Sequence, residues 1–449
     1  MVFMKKIEIL LFTLCFTSFA CKTKENAVKY TAQDADYLHQ CEKKLTDIIV
    51  LDIFNPPVAS RIYAYASIAG YEAARHAQKD SKSLMSQLKG FETPPSPQES
   101  SGTVLEGQNY DFTLAAVTAF CETARKVIFA KPEMQAFQEE LTKKLSERND
   151  EEVNKRSIAF GLAIAETAGK RIATDNYKET RGMERFEVKT GKGGIWVPTL
   201  PDYADAVEPH WHKMKTLVLD TSSQCKPILP PQYSEDKNSP FWKELLEVYE
   251  TVKKITPEQD NITTFWDDNP FVSRHKGHLM FQDKKMTPGG HWMAIAQLLS
   301  KEKQTDFFTT ARTYALTSVA LHEGFISCWD EKYSSIRVRP ETVIKDKIEK
   351  DWKPWLVTPP FPAYTSGHST ISASAAEVLT TIFGDNVAYT DTTEKEYGLP
   401  IRSFTSFRQA AVEASISRVY GGIHFRSDCE VGNAQGKKVG QLVLERVKL

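Results

Sequence analysis

The chain has 449 residues, of which 57 are basic and 58 acidic, for a formal net charge of −1. So even a balance excludes the basic footprint of a nucleic-acid binder, and this length calls for a large core in one big helical domain or two. The seven cysteines are scattered, which fits neither a disulfide framework nor a metal site.

In chain order, Lys5 and Lys6, an apolar run from Ile9 to Phe19 and then Cys21 form a leader over residues 1–20 that is too short to span a bilayer. Ser18-Phe19-Ala20-Cys21 resembles a bacterial lipobox, with an untypical Phe19. It implies that Cys21 becomes the lipidated first residue, and so an exported protein of the cell envelope, facing the periplasm. No other long uncharged apolar run follows. The body is expected to be soluble, touching a membrane only through that anchor. Cys41, Cys121, Cys225, Cys328 and Cys429 are odd in number, and a single bridge among them stays open.

Residues 28–180 read as a helical bundle, with apolar residues recurring at three and four. Asn55-Pro56-Pro57 introduces a helix through Glu72, and further helices are expected over Asp111–Phe129, Glu133–Glu147 and Val153–Asn176. Residues 181–240 read as an irregular crossover, rich in Gly and Pro. His210 and His212 alternate there without a third ligand of matching spacing, so both are read as loop residues. His275 and His278 are read the same way. Residues 241–449 hold a second bundle, with helices at Pro240–Lys254, His291–Lys303 and Thr305–Ser327. On the last of these Leu316, Val319, Ala320 and Glu323 share a face, which predicts a buried Glu323 in need of a cation. Lys332, a pocket arginine or an ordinary structural ion pair could each supply it.

Three clusters in the second bundle carry the chemistry. They are Lys332 to Arg339-Pro340, then Ser366-Gly367-His368, then Ser417-Arg418 to His424 and Asp428. Together they offer three cations, a hydroxyl, a glycine amide and two imidazoles, an inventory suited to phosphate or an anion of its shape. Ser366-Gly367-His368 precedes a helix whose free N–H groups and positive dipole end would face the anion. A helix expected over Gln409–Tyr420 ends at Gly421-Gly422, so that His424 can turn back toward the pocket. Asp428, four residues on, could fix the His424 tautomer. Arg337 and Arg426 are read as surface ion pairs.

The three clusters resemble the signature of the vanadium haloperoxidase and acid phosphatase superfamily, in its soluble bacterial haloperoxidase-like branch. Thr365 stands where the family usually has proline, which is expected to loosen the turn without removing a ligand contact. Pro56-Pro57 with Arg61, Pro198-Thr199, Glu208-Pro209, Phe265-Trp266 and His291-Trp292 resemble weaker blocks of the same group. The resemblance implies an all-α fold of two packed helical bundles.

For function it implies first a peroxidase that oxidises halide with hydrogen peroxide. Vanadate would be its cofactor, held by Lys332, Arg339, Ser366, Gly367 and Arg418, with vanadium bound by His424. His368 is then the acid–base partner and Lys332 polarises the peroxide, while Trp329 and Phe361 form the apolar halide side. The alternative is a phosphatase without cofactor, acting on a phosphomonoester or lipid phosphate. There His424 attacks phosphorus, oriented by Asp428, and His368 protonates the leaving oxygen. A third reading is a non-catalytic phosphate-binding lipoprotein.

Overall fold

The computed structural model describes residues 30–97, 110–189, 193–270, 273–276, 279–282 and 285–449, without side chains over 273–282. The leader, Cys21 and His278 lie outside the described residues, and His275 lies on a strand of undescribed side chains.

The fold is all-α. Capping residues set its helix starts: Asn55 accepts from Val58 N at 3.1 Å, with Pro56 and Pro57 in the first turn of helix Pro56–Ala74. Asp111, Asp150, Ser239, Thr287, Asp306 and Ser366 cap later helices in the same way, each satisfying an N–H that would otherwise lack a partner. Among the described residues the strands form two small antiparallel pairs, Ser273–Lys276 with Leu279–Gln282 and Tyr389–Asp391 with Arg402–Phe404.

The central rod is helix Phe307–Ser335. It extends eight residues beyond the expected end at Ser327, because Cys328, Trp329, Glu331 and Lys332 continue its buried face. It stops where Ile336 turns left-handed at φ 49°. It packs on Pro56–Ala74 on one side and on Gly367–Phe383 on the other. One apolar core therefore runs from Tyr37 to Val447, while a smaller cluster of Phe241, Trp242, Val338, Trp352 and Phe425 lies elsewhere. The described residues of the crossover are irregular, as expected, apart from one short 3-10 turn, Trp211–Lys213, and a single β-bridge. Ile195 forms an antiparallel bridge with Arg337, flanked by Trp196 N→Ile336 O at 2.9 Å and Val338 N→Gly194 O at 2.9 Å.

Two further expectations change. Glu323 is fully buried, yet its partners are backbone amides rather than a pocket cation: Leu217 N at 2.7 Å and Leu219 N at 2.6 Å donate to its two oxygens. The five described cysteines are all buried and free.

Helix Gly367–Phe383, which presents the site, lies against helix Arg426–Arg446 along Gly432, Gly436 and Gly440. A Cβ at Gly436 would meet Thr370 O at 1.9 Å. The contact is backbone, so no side chain can yield. Gly436→Ala is accordingly expected to destabilise by about 3 kcal/mol, the upper end for forced overpacking. Urea unfolding would measure it, and a loss below about 1 kcal/mol would mean that the helices part easily.

Candidate active site

Lys332 is the last inward-facing residue of its helix. Its Nζ donates to Pro362 O at 2.9 Å and Ala363 O at 3.1 Å. Arg339 begins the next helix, Pro340–Lys347, as its N-cap residue. Its Nε donates to Phe361 O at 2.9 Å, and its Nη1 donates to Ile423 O at 2.7 Å and to His424 Nε2 at 3.0 Å. Arg418, near the end of helix Phe407–Tyr420, donates to the carbonyl of Trp266 and, from Nε, to Ser417 Oγ at 2.9 Å.

All three cations are buried, and among the described residues none has a carboxylate in ion-pair contact. Carbonyl oxygens, the Ser417 hydroxyl and the His424 ring accept their hydrogen bonds. Moving an ion out of water costs several kcal/mol even after relaxation, so three buried cations without a counter-ion mark a place for an anion. Burial pushes the Lys332 amine down to about 7 and the Arg339 guanidinium down to about 10. An arriving oxyanion would reverse both.

His424 sits where the chain turns back. Gly421-Gly422 allows the reversal: Gly422 has φ +77°, and a Cβ on Gly421 would meet Leu356 at 2.7 Å. The His424 Nδ1 lies 3.0 Å from Asp428 Oδ2, as the spacing of four residues predicted. Asp428 also accepts from Phe425 N at 3.0 Å and from Arg337 Nη1 at 2.5 Å. Burial works to raise the Asp428 carboxyl, but Arg337 and His424 outweigh it and hold it at about 2. The carboxylate thus keeps the hydrogen on Nδ1 and the lone pair on Nε2. Burial and the neighbouring Arg339 push His424 itself well below its ordinary value, so the ring is neutral.

Arg337 is therefore not the surface residue expected from sequence. It is 5 % exposed, paired with Asp428 and, through Nη2, with Glu244 at 3.1 Å, and stacked over Phe425 at 4.3 Å. Arg426 does form a partly exposed pair, with Glu247.

Ser366 caps helix Gly367–Phe383 by accepting from Ser369 N at 3.3 Å, which leaves its own hydrogen to donate. Its amide donates to Asp428 O at 2.9 Å, which joins the second and third clusters. Thr365, which stands in place of proline in this turn, donates its hydroxyl to Gln435 Oε1 at 2.6 Å.

The cavity in front is lined by Gly367, His368, Arg418 and His424 on one side and by Phe325, Trp329, Phe361 and Pro56 on another. Trp329 and Phe361 pack at a ring separation of 5.1 Å. His368 is held well below its ordinary value, by burial first and then by Arg418 and His424, so it is a neutral base. Its Nε2 lies 3.8 Å from Asp268 Oδ2, beyond hydrogen-bond reach.

All ten predicted pocket residues thus gather here, with Lys332, Arg339, Ser366 and Asp428 behind the lining. Sequence reasoning missed Asp267, Asp268 and Phe325, which also line the cavity. The turn signal Asp267-Asp268-Asn269-Pro270 was available. Of the weaker blocks, Pro56 lines the cavity, Trp266 accepts from Arg418 through its carbonyl and Trp292 Nε1 donates to Ser372 Oγ at 2.7 Å, whereas Pro198, Glu208 and Pro209 line a separate pocket. His210, read as a loop residue, contacts Glu184 O at 2.7 Å.

The family model of the VCPO second helical-bundle domain matches residues 312–449. The crystal structure of the first bacterial vanadium-dependent iodoperoxidase superposes with a TM-score of 0.85 and 42 % identity, over 94 % of this chain and 98 % of that one. A holo-type bacterial vanadium-dependent chloroperoxidase shares the fold at a TM-score of 0.66 and 16 % identity, over 88 % of this chain and 93 % of that one. Its apo-type counterpart gives a TM-score of 0.67 at 16 % identity, over 88 % and 94 %. No curated protein sequence matches.

Proposed function

Because this chain belongs to the vanadium haloperoxidase superfamily, we propose that it oxidises a halide ion with hydrogen peroxide at a vanadate anchored on His424. The observation that carries the reading is the set of three buried cations without carboxylate partners around a neutral imidazole whose Nε2 lone pair faces them. Vanadate fits this set. Arg339 Nη2 and His368 Nε2 are buried with no hydrogen-bond partner among the described residues, and Lys332 Nζ has one hydrogen left beyond its two carbonyls.

Bound vanadate would supply a Lewis acid that activates peroxide toward halide without itself being reduced. The residues divide the remaining work. His424 anchors through Nε2, with Asp428 and Arg337 fixing its ring. Lys332, Arg339 and Arg418 neutralise the oxyanion, and Ser366 and the Gly367 amide donate to it. His368, neutral and close, takes a proton from peroxide and returns it to the departing oxygen. Trp329 and Phe361 wall the cavity with apolar surface, which suits a weakly hydrated halide. Iodide is the halide to place first, since the structure sharing 42 % identity is that of an iodoperoxidase.

The test loads the purified protein with vanadate and follows iodide oxidation, then bromination of a reporter dione, with peroxide present. Turnover should appear only with vanadate and saturate as vanadate is added. A protein that binds vanadate, seen by its vanadium resonance, yet oxidises neither halide would sink the reading. Phosphate release from an aryl ester in its place would make the enzyme a hydrolase.

A further inference from the structure

Behind the cavity wall lies a second cluster that the proposed reaction does not use. His291, in the first turn of helix Pro288–Glu302, is fully buried. Its Nε2 is 3.2 Å from Asp391 Oδ2. The other Asp391 oxygen accepts from Thr393 N at 2.9 Å and Thr393 Oγ1 at 2.7 Å, which holds the carboxylate in place. In a neutral ring whose hydrogen sits on Nε2, the lone pair is on Nδ1. Nδ1 faces two more carboxylates, Asp268 at 3.1 and 3.2 Å and Glu394 Oε1 at 3.7 Å. Glu394 is 1 % exposed, and its Oε1 has no hydrogen-bond partner among the described residues.

A lone pair and two buried carboxylates directed at one point repel unless positive charge lies between them. A proton on Nδ1 would answer Asp268, but it leaves Glu394 Oε1, 3.7 Å away, beyond hydrogen-bond reach and without a donor among the described residues. Lys285, the nearby ammonium, is taken by Asp267. One donor atom from each of Asp268, His291 and Glu394 lies within 4.8 Å of the others. Bonds of about 2.1 Å to a tetrahedral ion set its donor atoms about 3.4 Å apart, and the separations from Nδ1 of 3.1 and 3.7 Å bracket that value. Asp391 completes the pattern as the outer carboxylate that orients a ligating histidine.

We propose that Asp268, His291 and Glu394 bind a divalent transition-metal ion of the Zn2+ or Mn2+ kind, at a site separate from the anion pocket. An imidazole among the donors favours these over Mg2+ or Ca2+, which prefer oxygen alone. The ion ties three segments that are distant in sequence: the Asp267–Asn269 turn, where Asp268 has φ 39°, the start of helix Pro288–Glu302 and the 391–394 turn. Asp268 also lines the cavity beside His368. The ion thus fixes one wall of the reaction chamber.

The test uses the full chain, purified without a metal-affinity step and with no vanadate present. Elemental analysis of the wild type should find about one Zn or Mn per chain, and Glu394→Gln, close to isosteric, should lose it while keeping its circular dichroism. In chelator-stripped protein, Zn2+ or Mn2+ should raise the wild-type Tm by several degrees and leave Glu394→Gln unmoved, because an ion that binds only the folded state stabilises it. A wild type that holds no ion and whose Tm answers to neither metal would overturn the proposal, as would an equal response in Glu394→Gln. The cluster would then be an imidazolium clamped by carboxylates.

Discussion

Replacing His424 with alanine should cut halide oxidation by on the order of 1000-fold or more, since loss of a partner that merely orients a metal-bound histidine already costs about 10–100-fold. The variant deletes the neutral nitrogen that accepts from Arg339. It leaves Lys332, Arg339 and Arg418 in place, so a tetrahedral anion can still be held by charge. The expected signature is therefore specific: residual anion affinity, a shifted vanadium resonance and no turnover. Unchanged turnover at saturating vanadate would show that His424 is not the anchor and would remove the basis of the peroxidase reading.

The second large effect concerns stability. Arg337→Ala should destabilise the fold by about 3–5 kcal/mol, the range for breaking a buried ion pair by deleting one partner. Arg337 is 5 % exposed and joins Asp428, which is fully buried, to Glu244. Its removal leaves the buried Asp428 without its strongest counter-charge. In the wild type that carboxyl has a folded value of about 2 against an ordinary 3.8. Its contribution is thus fully present above about pH 4 and is lost as pH falls toward 2. In the variant the loss should begin at higher pH, because the folded value rises. Denaturant unfolding at pH 7 and pH 4 measures both effects. A variant within about 1 kcal/mol of wild type at both would show that His424 and Phe425 N hold Asp428 unaided.

The site was legible because its information is local. Lys332 to Arg339, Ser366 to His368 and Arg418 to Asp428 are each spaced by the geometry of one helix end and one turn, and such spacing survives in sequence. Trp329 and Phe361 could be placed because they stand a few residues from those landmarks. What escaped depends on partners far along the chain. Arg337 looks like any surface arginine until Glu244 and Phe425 close over it. Burial of Glu323 followed from its helix face, but the amides of Leu217 and Leu219 bear no side-chain signature. His291 meets Asp268, Asp391 and Glu394 across more than twenty and about one hundred residues. The helical layers were readable from period and caps; the end of helix Phe307–Ser335 was not, because Trp329 and Lys332 sit on its buried face while also serving the cavity.

That helix has a bearing on how the protein could be rearranged in evolution. The family model begins at residue 312, inside the rod that starts at Phe307. The half that carries the pocket borrows its central strut from a helix whose other flank belongs to the N-terminal half. A recombination joint placed at that boundary would cut through the strut and expose apolar surface on both products. The pocket-bearing half is thus not a portable module, and new activities on this scaffold are more readily reached by changes around the cavity than by exchange of halves.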